Sequence, residues 1–279
     1  MKFRKILAAG IAACSLFTFA ACKSDGPSTN LDDYRREDEV GLTSCMTENG
    51  GKLLFESIDS DSVRITGYQG PEQPHELVVP ATVVTSQDGS TVKKVTNIER
   101  MAFYSLSNLK SVKLPDGLEE IGPMAFAKCV QLETVTFPAS LSKLGEGAFQ
   151  GCRALKSVDA IADTKLTAIP DWCFWGCSSL TSLTVPGTVK TLGVAAFFEC
   201  TGLTEIKLAE GVETLGEQCF MRAKSLTALT LPSTLKNTDP AEDLAFYGAE
   251  KLTAANIHAS GAAAEYAAKL TAKRSEERR

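Results

Sequence analysis

The stretch Ile121-Gly122-Pro123-Met124-Ala125-Phe126-Ala127-Lys128-Cys129 is followed, 23 residues on, by Leu144-Gly145-Glu146-Gly147-Ala148-Phe149-Gln150-Gly151-Cys152. The phrase recurs around Phe103, Phe126, Phe149, Phe174, Phe197, Phe220 and Phe246, spaced 23, 23, 25, 23, 23 and 26 residues apart. A fixed period in this range is the signature of a solenoid, one supersecondary unit stacked on copies of itself. Each unit also holds a short alternating run, Leu109-x-x-Val112-x-Leu114 in the first. Its counterparts are Leu180, Leu183 and Val185, then Leu203, Ile206 and Leu208, then Leu226, Leu229 and Leu231. Alternation of apolar and polar residues predicts a strand with one buried face. Prolines at 115, 138, 186 and 232 end it, because proline cannot donate to a ladder.

Outside the repeats the pattern changes. Leu53–Ile58 and Val63–Tyr68 flank a polar turn and predict a hairpin; Glu76–Pro80, Thr82–Val84 and Thr91–Val95 are further strand candidates. A solenoid must cover its open ends, so residues 52–97 are assigned as an N-terminal β cap, 98–246 as repeats and 247–273 as the C-terminal cap. Within the last, residues 260–273 are rich in helix formers, with Ala262, Tyr266 and Leu270 on one face. Residues 274–279 read as a solvated tail. The third repeat is two residues longer and has Ala160-Ile161-Ala162-Asp163 in place of the proline turn, which predicts a bulge or loop.

These repeats resemble the 23-residue leucine-rich repeats of bacterial surface proteins of the BspA-like, treponemal type. Leu114-Pro115, Ile121-Gly122, Ala125-Phe126-Ala127-Lys128-Cys129, Leu192-Gly193 and Ala196-Phe197-Phe198-Glu199-Cys200 match in register. The resemblance implies a β-rich, curved, right-handed leucine-rich-repeat solenoid with a parallel strand ladder. It also implies an exported and often lipid-anchored protein that binds or adheres at a surface. Leu106, Ala223 and Ala249 stand where the family has cysteine.

Residues 1–21 read as a signal peptide: Lys2, Arg4 and Lys5 precede a mostly apolar run from Ile6 to Ala21, which is short for a membrane span. Phe19-Ala20-Ala21-Cys22 resembles a bacterial lipobox, which makes Cys22 the lipidation candidate; Ile11-Ala12-Ala13-Cys14 is the alternative. Two or more acyl chains are needed for stable anchoring. Polar, charge-dense residues 22–51 read as a flexible tether. The chain carries a formal charge of −5, which becomes −8 once residues 1–21 are removed. An acidic balance argues against nucleic acid as a partner, since phosphate binding needs clustered Lys and Arg.

Catalysis and metal binding find no motif, and no cofactor is implied. The two histidines, His75 and His258, lie on opposite sides of the repeats, without metal-ligand spacing. Cys129, Cys152, Cys177 and Cys200 share one repeat position and predict a column of buried free thiols rather than disulfides. The glycines of Gly145–Gly151 read as turn residues. Two surfaces remain for a protein or glycan ligand. The first is the concave ladder, with exposed Ser111, Lys113, Thr134, Thr136, Ser157, Asp159, Ser182, Thr184, Glu205, Lys207, Ala228 and Thr230. The second is an apolar strip of residues following the repeat phenylalanines, Trp175, Phe198, Met221 and Tyr247, for which packing between coils is the competing reading. A surface adhesion module and a periplasm-facing scaffold or accessory subunit both fit; an enzyme fits poorly.

Overall fold

The computed structural model describes residues 43–47, 50–237 and 244–277. The signal peptide, Cys14, Cys22 and the tether up to residue 42 lie outside them.

The N-terminal cap is built from β1 (Ser44–Met46), β2 (Lys52–Ser57), β3 (Ser62–Gln69), β4 (Glu76–Val78), β5 (Thr82–Val84) and β6 (Val92–Ile98). β1, β2 and β3 are antiparallel neighbours, and β3 then pairs in parallel with β6. The paired strand β1 falls within 22–51, so the last part of the segment read as tether belongs to the cap sheet. Cys45 accounts for the change, because its side chain is buried against the core and the strand follows it in.

The cap also supplies the first rung of each repeat ladder. β4 pairs in parallel with β7 (Ser111–Lys113), and β7 with β9 (Thr134–Thr136), which begins the first ladder. β6 pairs with β8 (Glu120–Ile121), and β8 with β10 (Lys143–Leu144), which begins a second ladder at the Ile-Gly position. The Ile-Gly position forms strands again in a separate three-stranded sheet, β11 (Ala168–Ile169), β13 (Thr191–Leu192) and β15 (Thr214–Leu215), so the second ladder is also broken between β10 and β11. The first resumes as β12 (Ser182–Val185), β14 (Glu205–Leu208), β16 (Ala228–Leu231) and β17 (Ile257–Ala259).

Between these two halves the first ladder is interrupted. Ser157 and Asp159 form no strand; a 3-10 turn over Asp159–Asp163 takes its place, with Ile161 buried. The Ser157 hydroxyl donates to the Asp159 carboxylate at 2.8 Å and accepts the Asp159 N–H at 3.1 Å, a local arrangement that competes with the ladder. The bulge or loop expected at Ala160–Asp163 is present as this turn, and it takes Ser157 and Asp159 out of the strand position expected for them, leaving them exposed in the gap between two sheets.

Inside the coil the phenylalanines form one stack. Ring centroids are 5.0–5.6 Å apart from Phe103 through Phe246, at interplanar angles of 5° to 21°. The spacing follows from the coil pitch, since hydrogen-bonded strands lie about 4.8 Å apart. Around each phenylalanine runs a third hydrogen-bonded row. The N–H groups two before, at and two after Phe103 donate to Pro123, Ala125 and Ala127 carbonyls at 2.8–3.0 Å, and the pattern repeats coil after coil. It requires left-handed backbone on both sides of the phenylalanine. Met101, Met124, Gly147, Trp172, Ala195, Gln218 and Leu244 on one side all have φ between 50° and 61°.

The far end closes differently on each ladder. Strand β17 adds a rung to the first, while on the second the Asn237 side-chain amide accepts the Leu215 N–H (2.7 Å) and donates to the Leu215 carbonyl (2.9 Å), in place of another strand. Helix α1 (Ala262–Glu277) buries Ala263, Tyr266 and Leu270. Tyr266 and Leu270 face the core as the sequence suggests; Ala262 is exposed and Ala263 takes its place, one position round the helix. The helix also runs beyond residue 273 into the segment read as tail.

Candidate binding surfaces

On the first ladder Val112, Leu183, Ile206 and Leu229 point inward and are buried. Their flanking residues face out in registered rows: Glu76, Ser111 and Thr134, and beside them Val78, Lys113 and Thr136. After the gap come Ser182, Glu205 and Ala228, and beside them Thr184, Lys207, Thr230 and His258. Lys207 and Glu205 pair on this face at 2.8 Å. Sequence reasoning missed His258 as a member, because the unit after Leu231-Pro232 loses the repeat spacing that located the other strands.

The apolar strip lies on the side of the coil formed by the phenylalanine turns. Trp175, Phe198 and Met221 are half-buried, and Tyr247 is 49% exposed. Trp175 and Phe198 meet edge to face, with centroids 5.1 Å apart, and the Arg222 guanidinium sits 5.7 Å over the Phe198 ring. The strip is thus partly coil-to-coil packing and partly open surface. It is also wider than the sequence reading allowed. Trp172 is 40% exposed and Val194 37%, and Met101 belongs to the same side. The signal was present, since Met101, Met124, Trp172 and Leu244 share one repeat position, two before the phenylalanine.

The cysteines sit away from both surfaces. Cys129, Cys152, Cys177 and Cys200 are buried, and each Sγ donates to the phenylalanine carbonyl of the coil before, at 3.2–3.3 Å. Burial pushes the Cys129 thiol up to about 12 and also raises those of Cys152, Cys177 and Cys200 well above the usual thiol value. Ionising them is disfavoured by desolvation, so they are neutral donors rather than nucleophiles. All seven described cysteines are buried, and Cys129, Cys152, Cys173, Cys177 and Cys200 are free thiols. They should therefore be inert to Ellman's reagent at pH 8 in the folded chain and react together on unfolding in guanidinium. Rapid reaction without denaturant would contradict the buried column. The linkage has one sign: a folded pKa above the unfolded one leaves stability whole below about pH 8.5 and removes it progressively at higher pH.

Among the described residues, no group of three or more His, Cys, Asp or Glu side chains suits a metal ion, and no helix is long and apolar enough to cross a membrane. A cleft of about 380 Å³ lies between Ser233–Asn237 and Ala262, Glu265 and Tyr266 of α1, but the Thr234 hydroxyl and the Asn237 amide on its wall are already engaged by Val212 and Leu215.

The BspA-type leucine-rich-repeat model matches residues 87–163 and 167–265, in six copies. The chain belongs to the BspA-type leucine-rich-repeat family. Its fold is similar to that of a leucine-rich cell surface protein from Faecalibacterium prausnitzii (TM-score 0.63, 26% identity), over 79% of this chain and 55% of that one. It is also similar to the leucine-rich-repeat protein of T. pallidum (TM-score 0.50, 28% identity), over 62% of this chain and 87% of that one. The chain thus spans about half the length of the Faecalibacterium protein. No curated protein matches it significantly. In this BspA-type chain the family's Ile-Gly and Ala-Phe-x-x-Cys positions have distinct physical roles: the glycine lets coils approach, the phenylalanine stacks and the cysteine ties to the previous coil.

Proposed function

We propose that this chain is a non-catalytic binding protein of the bacterial envelope, exported, anchored by lipid at Cys22, and engaging a protein or surface glycan through the outward row of its first ladder. The observation that carries the reading is the registered face of β12, β14, β16 and β17. It presents Thr184, Lys207, Thr230 and His258 on strands held rigid by their neighbours. A solenoid uses such a face as an extended platform, and its hydroxyls and charges favour a polar ligand. The cell-surface description of the Faecalibacterium relative supports an extracellular location.

The test is a photo-crosslinking amino acid placed at Thr184 or Thr136 on the first ladder and, as control, at Thr214 on the second, in intact cells. Adducts are expected from the first two positions only. Equal labelling at Thr214, or none anywhere, would reject the ladder as the binding face. Palmitate incorporation should be lost in Cys22→Ser; undiminished label would reject the anchor.

A further inference from the structure

The turn side of the coil carries more order than an apolar strip. Because N–H groups of each turn bond to the equivalent turn of the next coil, residues at equal offsets from the phenylalanine line up in rows along the solenoid. Three places before the phenylalanine the row carries Glu146, Asp171 and Glu217, with the apolar Val194 between the last two. The two rows at two and four places after it are mostly small and neutral but carry the exposed cations Lys128, Arg153, Arg222 and Lys224; Glu199 pairs with Arg222 at 2.6 Å, and the two rows together keep a positive excess. Trp172, Trp175, Phe198 and Met221 lie between the acidic row and these two. Arg100 in the first coil and Glu250 in the last have the opposite signs and lie beyond the coils that carry the tryptophans.

We infer that the turn side is a self-association surface, closed by a second copy of this chain about a two-fold axis parallel to the rows. The charges select this partner and this axis. Rotation by half a turn about an axis along the rows sets each coil against the same coil of the second copy and lays acidic row over basic row. Glu146 then faces Arg153, and Glu217 faces Lys224, each twice by symmetry. Rotation about the perpendicular axis in the contact plane would lay acid on acid. The selected axis leaves the two solenoids parallel, with both first coils at one end, an arrangement open to two chains tethered to one bilayer. Apolar rings meet across the axis, where an exposed tryptophan gains most from losing water. Six coil steps of about 4.8 Å by a width of six residues give a contact of roughly 600 Å² a side, at the low end for a specific interface. A contact of this size fits a weak, reversible dimer. It leaves the first ladder of each chain free, so it is independent of the function proposed above.

Charge exchange tests the geometry. Sedimentation velocity of the full chain purified from the envelope should show concentration-dependent dimers. Glu217→Lys and Lys224→Glu each place two like-charged pairs in the contact and should each weaken it at least about tenfold. The double variant should recover it, and an equimolar mixture of the two single variants should form the mixed dimer. Trp172→Glu should leave the chain monomeric, with circular dichroism unchanged because the side chain is exposed. A chain that stays monomeric up to about 200 µM would overturn the inference, as would dimers indifferent to Trp172→Glu or a double variant that fails to recover.

Discussion

Phe174→Ala is expected to lower unfolding free energy by about 3–5 kcal/mol, the cost of a large buried aromatic replaced by a cavity. Phe174 is fully buried and sits in mid-stack, 5.6 Å from Phe149 and 5.2 Å from Phe197. Truncating it removes both ring contacts at once. Each is worth about 0.5–1.5 kcal/mol beyond area burial. Because a solenoid is a chain of nearest-neighbour interfaces, the loss falls on the contacts that join the two halves of the repeat array. Phe174→Leu separates the contributions: burial is largely kept and stacking lost, so a cost of about 1–2 kcal/mol is expected. Urea unfolding followed by far-UV circular dichroism measures both. A cost below about 1 kcal/mol for the alanine variant would show that the stack does not tie the coils together.

Gly216→Ala is expected to be at least as damaging per atom added, at about 3 kcal/mol or more. Its φ is not in the left-handed region; the constraint is space. A Cβ there would stand 2.5 Å from the Val194 nitrogen and 2.6 Å from the Gly193 oxygen, backbone atoms that cannot rotate away. Gly193 and Gly145 occupy the same position, with Asp171 N at 2.5 Å and Pro123 Cα at 2.6 Å respectively. The control is Gly89→Ala, where φ is +75° but nothing lies within 4 Å. Only left-handed strain, about 1–2 kcal/mol, applies there. Thermal unfolding of the two variants should rank Gly216→Ala far below Gly89→Ala, and the reverse order would contradict the close-approach account.

This pair of glycines shows where sequence reading reached its limit. Gly145 and Gly147 lie two residues apart in one phrase and both read as turn residues. Gly147 is one, with φ +61°, whereas Gly145 is held by the neighbouring coil. The left-handed position of Gly147 is filled elsewhere by Met101, Trp172 or Gln218. Composition therefore hides it; ladder hydrogen bonds to the next coil offset a backbone cost of about 1–2 kcal/mol per residue. The second ladder was illegible for another reason. Strands of two residues, such as Thr191–Leu192, are too short to display alternation.

The sequence by itself determined the solenoid, the phase of each coil and the buried phenylalanine and cysteine columns. Periodicity suffices for these, because identical units stacked in register bury the same position in every coil. Only the tertiary structure decided that the loop of the third repeat takes Ser157 and Asp159 out of the first ladder, that His258 completes it, that Asn237 closes the second ladder and that Trp172 and Val194 widen the apolar strip. Each of these depends on what one coil presents to the next or to open solvent, a relation between units that no single unit contains.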